Sequence, residues 1–257
     1  MSPGNHRHRT LAETAWETAP TPWPAPPVVG EAHLWRIPLA GATPPLPEHE
    51  QLLAPEEFTR AGRFHYSKDR SAFITARASL RCLLGHYLRR KPEAISFGYG
   101  THGKPFLAGP EPGGLSFNLS HAGGHALIGF TTCRSIGVDL EAEDPSINVE
   151  RLAERFFSPH EYREVLALPA AERVPAFFRT WTRKEAFLKA HGAGLGLPLD
   201  QFSVTIDLNK PVRLERIDWA PEQTDDWAMA GFMVAEGLPG AVVVEGELTT
   251  LRFYELG

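Results

Sequence analysis

The chain has 257 residues, 42% of them apolar and 22% charged, enough for one large domain or two smaller ones with a proper core. A net charge of -5 argues against a general nucleic-acid binder, which is usually basic, and no uninterrupted apolar run approaches the length that spans a bilayer. The only cysteines, Cys82 and Cys133, lack metal-type spacing, and no apolar segment follows the charges of the first nine residues. A reduced, cytoplasmic protein with neither nucleic acid nor membrane as partner is the expectation.

Residues 1–30 read as an extension. Pro20, Pro22, Pro24, Pro26 and Pro27 alternate with small residues, which predicts an extended, flexible arm outside the fold. An N-terminal half over 31–135 should begin with an edge strand at His33–Ile37, stopped by Pro38. Pro55 opens one helix and a second runs over about Lys68–Arg89, with Phe73, Arg77, Leu80, Leu84 and Leu88 at spacings of three or four. Ser116–Leu119 reads as a short strand, and 125–130 with 136–141 as a hairpin. In its second strand Asp139 and Glu141, two apart, share a face.

The C-terminal half, 136–257, continues with helices. Ser158 can cap, Pro159 suits the first helical position, and Glu161 stands three after the cap. A further helix over about Ala170–Ala190 should stop at Gly192. Five strand-like stretches follow, near 202–206, 212–217, 228–234, 241–244 and 250–254. Helices and strands in two successive sets predict an α+β protein.

Asp139 and Glu141 on a strand with Glu185 on a helix could hold a magnesium ion, which takes hard oxygen ligands and leaves room for phosphate oxygens. A solvated strand face explains the first two as well, and an ordinary helical ion pair explains Glu185 with Lys189. Two acids on a strand flanked by apolar residues are costly unless neutralised, which favours the metal. Capping accounts for Glu161; a supporting role beside Lys184 or Glu185 is the other reading. Trp181 is expected to pack. Gly103-Lys104-Pro105 and Asn118 to His125 supply small turns, a lysine and imidazoles suited to phosphate. Arg60, Arg63, Lys68 and Arg70 form a basic cluster. No P-loop is present.

Taken in order, Gly103-Lys104-Pro105, Phe117 to His121, Gly137 to Glu141, Arg155 to Ser158 with Glu161, and Trp181 to Lys189 resemble the Sfp-like (surfactin-type) 4'-phosphopantetheinyl transferases. The likeness runs on through Gly192-Ala193-Gly194-Leu195. It implies two pseudo-symmetric halves, each a small sheet with packed helices, in a monomer with the active site between them. It also implies that the phosphopantetheine arm of coenzyme A passes to a serine of an apo acyl or peptidyl carrier protein, releasing adenosine 3',5'-bisphosphate. By resemblance, magnesium falls to Asp139, Glu141 and Glu185; coenzyme A to Arg60, Gly103, Lys104, Ser120, His121 and Lys189; and catalysis to Glu185, Lys189 and Glu161. Glu57 departs from the lysine that some members carry there. A coenzyme A-binding regulator that kept the fold without the activity is the alternative.

Overall fold

A computed structural model describes residues 15–39, 47–101, 103–109, 114–192 and 196–256. His102, Ala193, Gly194, Leu195 and the first fourteen residues of the extension lie outside them. The elements run β1 (Glu17–Thr18), β2 (Glu31–Pro38), α1 (Pro47–Gln51), α2 (Pro55–Ala61), α3 (Ser67–Leu88), β3 (Phe97–Tyr99), β4 (Pro105–Leu107), β5 (Leu115–Ala122), β6 (His125–Thr132) and β7 (Ile136–Leu140). They continue with α4 (Val149–Phe156), α5 (Pro159–Ala167), α6 (Ala170–His191), β8 (Phe202–Val204), β9 (Leu214–Ile217), β10 (Trp227–Ala235), β11 (Leu238–Glu245) and β12 (Thr250–Glu255). The class is mixed α+β, built from small sheets and helices. Among the described residues no helix is long and apolar enough to cross a membrane.

Two sheets organise the molecule. The first has the order β1-β12-β2-β6-β5 and the second β10-β11-β7. Each carries one 22-residue helix, α3 on the first and α6 on the second. β2 is buried on both faces: Trp35 and Ile37 join the core under α3, while Ala32 and Leu34 join Val138, Phe232 and Val242 in a core between the sheets. That double burial makes β2 an interior strand with parallel and antiparallel neighbours, not the edge strand its Pro38 suggested.

Chain order and sheet membership part company at the C-terminus. β12 runs parallel between β1 and β2 of the first sheet, although a division at residue 135 assigns it to the second half. The hairpin expected from 125–130 and 136–141 does not form either. β6 pairs with β5 and β2, and β7 with β11. Cys133 takes a left-handed φ of 58° in the connection, where the chain leaves one sheet for the other. The true hairpin is β5–β6, turned at Gly123 and Gly124, both with positive φ as a tight two-residue turn requires.

The described part of the extension, 15–30, is packed and not free. β1 pairs with β12, and the Trp16 indole donates to Met233 O at 3.0 Å while meeting Phe232 and Phe253 edge-on. Trp23 packs on Trp35 and His86. Proline alternation predicted an extended backbone; Trp16, ahead of those prolines, and Trp23, among them, supply apolar area that docks it.

Helix ends follow the local chemistry. Ser158 and Glu161 form a reciprocal capping box with Pro159 at the first helical position, and α6 ends on Gly192 at φ 81°. Trp181 stacks on Phe177 and meets Phe156 edge-on, a packing residue as expected.

Candidate active site

β7 is wedged between the first sheet and α6, and missing side chains make this possible. A Cβ on Gly137 would collide with the backbone of α6 at Ala186 and Ala190, so only glycine lets helix and strand lie in direct contact. On the opposite side a Cβ on Gly129 would meet Val138 Cγ1 at 2.6 Å. This close approach carries Glu185 and Lys189 of α6 to the end of β7. A lone glycine inside a strand is a readable signal of such contact, and sequence reasoning passed over both.

Asp139 on β7 is 3% exposed. Its Oδ1 accepts from Lys189 Nζ at 2.6 Å and from Ser120 Oγ at 2.9 Å, and Lys189 Nζ also donates to Ser120 Oγ at 2.9 Å. The three groups close a ring. Asp139 Oδ2 is buried without a hydrogen-bond partner. Burial pushes the Asp139 carboxyl above its ordinary range, against the pull of Lys189 and Ser120. Glu141 is half-buried, and burial followed by the charge of Asp139 pushes it up to about 6. Burial and then Asp139 raise Glu185 in the same direction. Asp139 thus bears on both glutamates, with one lysine to offset three acids.

Hard oxygen donors, a buried unpartnered Oδ2 and uncompensated negative charge fit a small divalent cation. As they stand, no three His, Cys, Asp or Glu side chains among the described residues close around one ion; Lys189 rests on Asp139 instead.

The other expected residues divide. His121 follows Ser120 on β5 and is exposed. Lys104 donates to Ile136 O at 2.9 Å and Lys189 O at 2.5 Å, bracing the last turn of α6 against β7. Burial, with Lys189 nearby, lowers its ammonium to about 8. Two of its three donors are engaged in those bonds. Gly103 holds the β3–β4 turn at φ 76°, its N–H spent on Gly100 O. Arg60 is exposed on α2, its guanidinium over the Phe73 ring, and lines a cavity of about 730 Å³ with Arg63, Phe64 and Tyr99. Glu57 is buried between Arg77 at 3.0 Å and Arg81 at 2.7 Å and also caps α2 through Ala54 N–H.

Glu161 stands with different partners. It is fully buried; Lys184 Nζ donates to both its oxygens, at 2.8 and 2.6 Å, Ser158 N–H to one at 2.8 Å, and Val204 N–H to the other at 2.8 Å. Lys184 also donates to Phe202 O. Every acceptor is engaged in holding α5, α6 and β8 together.

Comparison with known proteins identifies the family. Residues 135–232 match the family described as the 4'-phosphopantetheinyl transferase superfamily, and residues 46–132 match that described as 4'-phosphopantetheinyl transferase, N-terminal. The chain is 37% identical over 217 residues to the 4'-phosphopantetheinyl transferase HetI of Nostoc sp., covering 84% of this chain and 88% of that one. It is 32% identical over 166 residues to the 4'-phosphopantetheinyl transferase Sfp of Bacillus subtilis, covering 65% of this chain and 72% of that one. Among solved structures, the holo-[acyl-carrier-protein] synthase of Neisseria meningitidis aligns with 44% of this chain and 98% of its own at 21% identity and a TM-score of 0.36. With HetI matched along most of both chains and both halves matched by transferase families, this chain belongs to the 4'-phosphopantetheinyl transferase family.

Proposed function

We propose that the Asp139–Ser120–Lys189 ring, with Glu141 and Glu185 beside it, is the transfer site at which the phosphopantetheine arm of coenzyme A moves to a serine of an apo carrier protein. Activity as a phosphopantetheinyl transferase follows from the family; the residue roles, magnesium and the cellular setting are this reading's own. The observation that carries it is a buried Asp139 whose Oδ1 is held by Lys189 and Ser120 while its Oδ2 has no partner, beside two further acids. Nothing supports the inactive regulator.

The serine oxygen attacks the phosphorus that bears the pantetheine arm. A serine O–P bond forms and the bridging P–O bond of the pyrophosphate breaks, releasing adenosine 3',5'-bisphosphate. Glu185, whose raised proton affinity suits it to accept, takes the serine proton. Lys189 gives charge or a proton to the departing phosphate. Ser120, His121, the remaining donor of Lys104, and Arg60 hold the phosphates, while Gly103 keeps Lys104 in place by its turn. Bound at Asp139, Glu141 and Glu185, magnesium would neutralise the pyrophosphate as a Lewis acid. Glu161 has no acceptor left for the serine proton, which leaves it the task of supporting α6. Each half offers a sheet with one long helix, so a monomer suffices, and a cytoplasmic enzyme is the natural setting.

Incubation with coenzyme A, magnesium and an apo carrier tests this. The carrier should gain the mass of one phosphopantetheine. Coenzyme A cleavage with an unmodified carrier would make the site a hydrolase.

A further inference from the structure

We infer that Asn118 is a positioning residue for this reaction, an assignment that rests on the transfer site just described. β5 and β7 belong to different sheets and share no strand pairing. One edge of β7 is taken by β11; the other faces β5. On that free edge the Val138 N–H donates to Asn118 Oδ1 at 2.8 Å, and Asn118 is 4% exposed. Asn118 and Ser120 are two apart on β5 and so share a face. Their partners, Val138 and Asp139, are adjacent on β7.

The two bonds do different work. Asn118 grips the backbone one residue before Asp139 and sets how far β7 lies along the first sheet. Ser120 then meets the Asp139 carboxylate at hydrogen-bond distance. Gly129 stands opposite Asn118 in the β5–β6 register, and its missing side chain is the space that Val138 fills. A buried N–H must have an acceptor, so without the amide the edge of β7 would shift to find another. Ser120, Asp139 and Lys189 would then lose their common register.

The test uses the full chain with coenzyme A, magnesium and an apo carrier, and amide hydrogen exchange on the protein alone. Asn118→Leu deletes the acceptor at similar size. It should lower kcat about 30-fold with the coenzyme A KM within about threefold of wild type. Exchange at the Val138 amide should quicken at least about tenfold, while Ile128 in the first sheet is unchanged. Asn118→Asp keeps an acceptor of the same shape and should return kcat to within about fivefold of wild type. A kcat in Asn118→Leu within about threefold of wild type, or unchanged Val138 exchange, overturns the assignment. So does a KM that rises in step with the loss of rate. If Asn118→Leu fails to fold, Asn118→Asp should outpace Asn118→Ser, and equal rates overturn the assignment. A wild-type protein that transfers nothing defeats the functional reading, while Val138 exchange still decides whether Asn118 holds the strand.

Discussion

α6 carries two lysines five residues apart, each bonded to a carboxylate at 2.6 Å, and the two pairs are opposites in every other respect. Lys184 and Glu161 are sealed from water, and each Glu161 oxygen is met by donors on two sides. At the other pair the Lys189 side chain is 30% exposed and one Asp139 oxygen has no partner. Two further acids, Glu141 and Glu185, stand beside the open pair and have their proton affinities raised by Asp139. An acid–lysine contact is therefore not informative by its distance. What separates a strut from a reactive centre is whether its remaining lone pairs are spoken for.

The sharpest attempt to break this contrast is Asp139→Ala. It should reduce carrier modification about 10³-fold while the unfolding midpoint stays near wild type. A rate within tenfold of wild type in a magnesium titration would remove Asp139 from the centre. The mirror experiment is Glu161→Ala. Stranding the Lys184 ammonium in the interior should cost about 3–5 kcal/mol, or roughly 6–15 °C in midpoint for a chain of this size. The surviving folded fraction should retain near-normal kcat. A large loss of kcat with an unchanged midpoint would exchange the roles of the two pairs.

A finer probe replaces both members of the closed pair. Glu161→Leu with Lys184→Met should recover at least half of the stability lost in Glu161→Ala, because no unpaired charge is left inside. The smallest expected effect concerns Glu141. Its proton is held more tightly in the folded protein than in the unfolded chain, so it favours folding fully below about 4.5 and that contribution is lost as pH rises towards about 6. At pH 8 the ionised group opposes folding. Glu141→Gln should then raise the midpoint by about 1–3 °C at pH 8, after allowance for its exposure, and by nothing at pH 4. Thermal melts across that range decide it; a lower midpoint at pH 8 would mean that the acid is compensated.

Much of the site was legible because its elements are local. The capping box at Ser158 and Glu161, the stop at Gly192, and the four-residue step from Glu185 to Lys189 are written within single turns of helix. The elements that misled are those decided by distant partners. Whether 136–141 pairs with 125–130 or with 238–245 depends on the chain turning at Cys133, and alternation along a strand does not say which neighbour it takes. The carbonyls that hold Lys104, at Ile136 and Lys189, were not legible because they are far from it in sequence. Trp16, just ahead of the prolines, and Trp23, among them, were passed over because backbone preference says nothing about what the indoles touch.

The return of β12 to the middle of the first sheet bears on how the molecule is made. That strand follows every other element of the fold in chain order, yet it separates β1 from β2. The N-terminal sheet therefore stays incomplete until the elements before β12 have been made, and its closure is a late step that pairs strands more than 200 residues apart. Expressed alone, the first 135 residues would expose the flank of β2 as an open edge ready to pair with another copy.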